Sequence, residues 1–105
     1  MRLSPLLSLA LLTACAVPEE NFADAFGRAA CARYSQCEKD TFEEVYDDID
    51  ACADDVSALM ELGMDAADLL NQEYDGTEGA ECIRDIRTTS CDDFSFDELV
   101  CDVYG

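Results

Sequence analysis

Seven cysteines lie in a chain of 105 residues that contains no histidine. They stand at positions 15, 31, 37, 52, 82, 91 and 101. Structural zinc sites favour cysteines two to four residues apart, often with histidine. Here the closest pair, Cys31 and Cys37, has five intervening residues. A redox-active Cys-x-x-Cys is likewise missing from the sequence. The pattern instead reads as a disulfide framework, which needs an oxidising compartment. An odd count then requires one cysteine to be accounted for in another way.

The N-terminus supplies that account. Arg2 precedes an apolar run, Leu3 to Leu12, broken only by Ser4, Pro5 and Ser8. As an α-helix these ten residues reach about 15 Å, half of a ~30 Å hydrocarbon core. The run therefore suits a secretory signal better than a permanent span. Leu12-Thr13-Ala14-Cys15 resembles a lipobox, the signal by which bacteria cut a precursor before a cysteine and acylate it. That resemblance implies a signal peptide over 1–14, a lipid on Cys15, and a tether over 15–21 that needs no structure. An ordinary cleaved signal is the alternative. Extended, Ala16 to Glu20 spans at most about 18 Å, which would keep the folded part close to the membrane.

Losing 14 of the 105 residues leaves 91, one domain in which a hydrophobic core alone is marginal and staples help. Loss of Arg2 takes the net charge from −19 to −20. Such a surface repels nucleic acid and anionic lipid and attracts cations or basic partners. The acids are dispersed between regularly spaced apolar residues, which argues for a folded acidic surface over residues 22–105 and against disorder. Aspartate outnumbers glutamate and Lys39 is the only lysine; a saline habitat would produce the same balance.

Phe22, Phe26, Ala30, Tyr34 and Cys37 recur at helical spacing and predict a first helix over 22–37, capped by Asn21. Thr41 marks a short turn, with Phe42 and Val45 covering one end of the core. A second helix starts at Asp47 or Asp48, with Ile49, Cys52, Val56, Leu59 and Met60 inward, and Gly63 ends it. A short helix restarts at Asp65, with Met64 and Leu69 as a hydrophobic staple, and fades by Tyr74 into an Asp75-Gly76 turn. A fourth helix covers 78–90, with Cys82, Ile83 and Ile86 inward. Ser95 and Glu98 form a capping box, and Phe94 and Leu99 a staple, for a last helix over 96–103. The fold class is all-α: a small disulfide-stapled bundle of about four to five short helices after a signal segment.

Six cysteines allow fifteen pairings. On one helix Cys31 and Cys37 are about 9 Å apart, and Cys82 and Cys91 about 13 Å, beyond the ~7 Å bridging limit. The simplest remaining scheme is Cys37–Cys52, Cys31–Cys82 and Cys91–Cys101, with Cys31–Cys52 as the main rival.

Asn71, Glu73, Asp75 and Gly76 match positions one, three, five and six of a calcium loop between helices. Position twelve, which should carry a bidentate carboxylate, is Cys82. A polar turn in an aspartate-rich chain explains these residues better. Asp47-Asp48, Asp54-Asp55 and Asp92-Asp93 lie at helix starts or on polar faces, where carboxylates are ordinarily structural. Ser35, Ser57, Ser90 and Ser95 have no histidine to act as base. The five phenylalanines read as core, and Arg28, Arg33, Arg84 and Arg87 as partners of neighbouring acids, Arg84 with Glu81 among them.

The order Cys31-x₅-Cys37, then Phe42, Tyr46 and Cys52 opening a helix, then Cys82, Cys91 and Cys101, resembles a group of small, uncharacterised lipoproteins of myxobacteria and related lineages. The resemblance implies an exported, disulfide-bonded helical domain and carries no activity. The expectation is a non-enzymatic cell-envelope lipoprotein without a cofactor, held through lipid on Cys15. Ala16 lacks the aspartate of inner-membrane retention, which favours the outer membrane or cell surface. Its role would be structural or protein-binding, with a basic protein as partner. A low-affinity divalent-cation binder and a released, unlipidated effector are the alternatives.

Overall fold

The computed structural model describes residues 16–105; the expected signal segment 1–14 and the expected acylation site Cys15 lie outside the described residues. Among the described residues there are four α-helices: α1 (Glu19–Cys37), α2 (Lys39–Val45), α3 (Ile49–Leu69) and α4 (Gly76–Thr88). A single 3₁₀ turn (Phe96–Glu98) follows, and no strand is present beyond one isolated antiparallel bridge, Tyr74 with Tyr104. The protein is a small all-α bundle stapled by three disulfides.

The organising element is α1, which packs against each of the other three helices. It starts three residues earlier than its apolar spacing predicts, at Glu19, with Pro18 and not Asn21 at the cap position. Pro18 has a φ near the value proline imposes anyway, and Glu19 and Glu20 sit in the first turn, where the helix dipole favours negative charge. The predicted face is buried: Phe22, Phe26, Ala30 and Tyr34 are all under 9% exposed. A second face of Ala23, Gly27 and Cys31 is buried too. Its residues are small because α3 passes close by. A Cβ on Gly27 would lie 2.9 Å from the Ala53 carbonyl oxygen.

The run Lys39–Val45, expected as a turn, is a helix of seven residues whose Phe42 is buried and whose Val45 is 60% exposed. Asp48 then caps α3 by accepting the Ala51 N–H at 2.8 Å. The expected stop at Gly63 does not occur, and α3 runs unbroken through it to Leu69. Two expected helices are therefore one, and the Met64–Leu69 staple has no helix start to serve. The left-handed residue that ends α3 is Asn71, at φ 60°. Gln72 N–H reaches the Ala67 carbonyl and Asn71 N–H the Asp68 carbonyl, both at 3.0 Å, which is the Schellman arrangement. Asparagine tolerates this conformation because its short polar side chain is only mildly penalised there.

Asp75 caps α4, accepting from Thr77 and Glu78 N–H. Ile83 and Ile86 are buried as expected, with Cys82 half-buried. The last predicted helix does not form. Ser95 makes no side-chain cap bond, and only a 3₁₀ turn follows. Its first N–H, on Phe96, is taken by Glu38 Oε2 from the α1–α2 junction at 3.1 Å. The Phe96 ring stacks on Tyr34 with centroids 4.0 Å apart. Beyond it the chain extends to pair Tyr104 with Tyr74 and bury Val103. Tertiary partners for Phe96, Val103 and Tyr104 outweigh a helix of eight residues, which is marginal by itself.

All three expected disulfide pairings are corrected. The bonds are Cys31–Cys52, Cys37–Cys91 and Cys82–Cys101, with Cα separations of 5.9, 5.0 and 5.8 Å. The rival pair Cys31–Cys52 is the one formed. The cause is register. Helix α3 runs antiparallel to α1 with Ala53 beside Gly27, so Cys52 arrives opposite Cys31. The seven residues of α2 supply the length that carries the chain back that far. Helix α4 runs alongside α1 in the same direction, with Gly79 against Phe22 and the Thr89 carbonyl against Arg33. Its exit therefore brings Cys91 to Cys37, and Cys82 is left for the extended C-terminal segment.

Candidate functional site

The tether expected to be free of structure is docked. Val17 N–H donates to the Gly76 carbonyl at 3.1 Å, and the Tyr74 hydroxyl donates to the Val17 carbonyl at 2.6 Å. A Cβ at position 76 would stand 2.9 Å from that same Val17 oxygen, so glycine permits the approach. The Tyr104 hydroxyl donates to Glu19 Oε2 at 2.8 Å from the other side. Burial, aided by Glu19, raises Tyr74 to about 12, and burial with the Glu19 hydrogen bond raises Tyr104 further.

The residues singled out for cation binding are not brought together. Asn71 is the left-handed end of α3, and the Asp75 carboxylate is occupied by the α4 cap. Glu73 exchanges backbone hydrogen bonds with Gly105. Among the described residues no group of three Asp, Glu or Cys has ligating geometry. A cleft of about 390 Å³ between the α1 start and the α3 end is lined by Glu19, Glu20, Glu61, Asp65 and Asp68 with Ala23 and Met64. It is a negative surface without a coordination shell. Of the paired acids, Asp48 caps α3 and Asp93 receives the Ser90 hydroxyl, while the Asp55 charge acts on the Tyr46 hydroxyl. No charged residue is buried as a whole among the described residues, although Nε of the Arg33 guanidinium is enclosed without a hydrogen-bond partner.

Three arginines gather around a hollow of about 300 Å³ beside α1: Arg28, Arg33 and Arg87. Arg28 is held by Asp24 and Asp50, both at 3.3 Å. Arg33 donates to Gln36 and to the Thr89 carbonyl, at the negative end of the α4 dipole. The first two are thus engaged in holding helices together. The expected Arg84–Glu81 pair is absent among the described residues, where Arg28 makes both ion pairs.

The feature of different character is apolar. A groove of about 310 Å³ runs between α1, α3 and the C-terminal segment. Phe26 and Ala30 form its floor, Val56, Leu59 and Met60 one wall, and Tyr46, Phe96 and Leu99 the other. Leu59, expected in the core, is 70% exposed on its lip, and Ile49 is 38% exposed. Every residue lining the groove is uncharged, yet Asp55, Glu61, Asp97 and Glu98 adjoin its walls in sequence, all exposed. Burial, then the neighbouring Asp55 carboxylate, raises the Tyr46 hydroxyl above its ordinary value. The signal that could have located the groove is the misfit in α3. Its apolar stripe is wider than one face against α1 can cover, so Leu59 falls outside.

Leu69 and Leu70, at the end of α3, are 84% and 71% exposed and are separate from the groove. Among the described residues no helix is long and apolar enough to cross a membrane. No protein family, curated protein or solved structure matches the chain.

Proposed function

We propose that this is an exported cell-envelope lipoprotein, anchored through Cys15, whose groove docks a basic segment of another protein. The carrying observation is an uncharged groove of about 310 Å³ in a chain of net charge −19. An amphipathic helix or loop would set its apolar side on Phe26, Met60 and Leu99 and its Lys or Arg residues toward Asp55, Glu61 and Glu98. Charge selects this occupant over a second copy, because two strongly negative surfaces repel. The anchored part of the reading is supported by the cysteine count: the six described cysteines pair with one another, which leaves Cys15 for the lipobox-like signal.

The test compares two exposed leucines on one helix. Leu59 lines the groove and Leu62 does not, and they are 70% and 68% exposed. A synthetic Lys/Leu amphipathic helix is titrated into the mature protein by calorimetry. Leu59→Asp adds a negative charge, which alone would strengthen attraction to the peptide. It also removes an apolar contact worth about 1.5 to 3 kcal/mol when fully covered, so affinity should fall roughly tenfold or more. Leu62→Asp should leave affinity unchanged or slightly raised. Equal effects of the two changes would remove the groove as the docking site.

A further inference from the structure

A single residue, Ala16, separates Cys15 from Val17, and Val17 is held at both its N–H and its carbonyl. Two extended residues reach about 7 Å. A lipid on Cys15 would therefore bring the bilayer surface directly against this end of the fold, without slack. That end is also where α3 finishes: Asp68 shares a cleft with Glu19 and Glu20, and Glu19 is bonded to Tyr104. The two residues after Asp68 are Leu69 and Leu70, the former the most exposed large apolar side chain among the described residues. Neither contributes to the core or lines the groove.

We infer that Leu69 and Leu70 form a second membrane contact, seated at the headgroup–acyl boundary of a zwitterionic phospholipid surface and fixing the domain's orientation on its anchor. This rests on the lipid-anchor reading proposed above. Two leucines are too small a surface to hold a protein on a membrane alone, but a covalent anchor supplies the local concentration that makes a weak contact persist. The neighbouring groups are acidic: Glu19, Glu20, Asp65, Asp68, Glu73 and Asp75. They are compatible with zwitterionic headgroups and are repelled by anionic ones. Met60, in the groove wall, is ten residues back along α3, about 15 Å from the tip. The contact thus leaves the groove open above the headgroups.

The chain contains no tryptophan, so single-tryptophan reporters have no background. Mature protein, residues 15–105, is coupled through the Cys15 thiol to a maleimide-headgroup lipid in phosphatidylcholine vesicles with brominated acyl chains. Leu70→Trp fluorescence should be quenched at least twofold more than that of Leu62→Trp or Val100→Trp. Equal quenching at the three positions, or none at 70, overturns the inference; a blue shift at 70 without bromine quenching points to a second copy and also overturns it. A ten-residue Gly-Ser insertion between Cys15 and Ala16 should bring position 70 down to the level of the others. Quenching that survives the insertion would refute the part played by the short connection. Because coupling replaces the natural lipid, intact mass of protein from its native envelope tests acylation separately, and either result stands without the other.

Discussion

Gly63 offers the sharpest check on how α3 is built. A helix ending there would hold residue 63 in the left-handed region, where a Cβ costs about 1 to 2 kcal/mol. In the structure it is an interior helical residue with negative φ, and a Cβ at this position meets nothing within 4 Å. Gly63→Ala should therefore stabilise the protein by about 0.8 to 1 kcal/mol, the difference in helix propensity. For a domain of this size that raises Tm by roughly 4 to 8 °C. Gly27→Ala makes the matched contrast within the same bundle. It gains the same propensity, but its Cβ would stand 2.9 Å from the Ala53 carbonyl in the α1–α3 contact. Overpacking there costs about 1 to 3 kcal/mol, so the net effect is a loss of up to about 2. Circular dichroism melts of the two oxidised variants decide the matter. A fall in Tm for Gly63→Ala would restore the helix break and refute the continuous α3.

Peptide mapping of unreduced protein should recover Cys31–Cys52, Cys37–Cys91 and Cys82–Cys101, and a Cys37–Cys52 peptide would refute the register of α1 on α3. Replacing Cys37 and Cys91 together by serine should cost more than replacing either other pair. Chain entropy assigns about 4 kcal/mol to a separation of 54 residues and about 3 to separations of 21 or 19, which denaturant melts can rank. All four tyrosines are raised above 10, chiefly by burial, with Tyr74 at about 12. The folded state holds their protons where the unfolded state has released them, so stability is full below pH 10 and declines from pH 10 through about 12. Absorbance at the tyrosinate band should rise later in native than in denaturant-unfolded protein; coincident curves would contradict the burial.

Much of the core was legible because its spacing is periodic. Phe22, Phe26, Ala30 and Tyr34 announce the buried face of α1, and Ile83 and Ile86 that of α4. What escaped were features set by contacts between distant segments. Ala23 and Gly27 carry no hydrophobic signal large enough to mark a second buried face, yet they set the register that pairs Cys31 with Cys52. Gly63 looked like a stop because glycine commonly ends helices, whereas Asn71 does that work with the same left-handed geometry. Ser95 and Glu98 carry a sound capping pattern. It lost to Glu38, which takes the Phe96 N–H, and to the pairing of Tyr104 with Tyr74. The groove was the least legible feature, since it closes only when Phe96 and Leu99 meet a wall of α3 more than thirty positions away.

The exposed apolar residues now separate into two kinds. Val45, Ile49, Leu62 and Val100 lie outside both surfaces, as scattered exposed apolar residues ordinarily do. Leu59 lies on the lip of the groove, and Leu69 with Leu70 makes a tip at the end of α3, where Asp68 shares a cleft with Glu19 and Glu20. The fold does not need them: the buried set is assembled around α1 from α4, the C-terminal segment, Phe42 of α2 and Cys52 and Ala53 of α3, and three disulfides supplement a core in which alanines and cysteines are prominent. In a chain with 25 acidic residues a polar side chain at these positions would be the neutral choice for solubility. Leucine at Leu59, Leu69 and Leu70 is therefore better explained by what meets them from outside. The anchor would bring a bilayer to one of the two surfaces, and the negative field would bring a basic partner to the other.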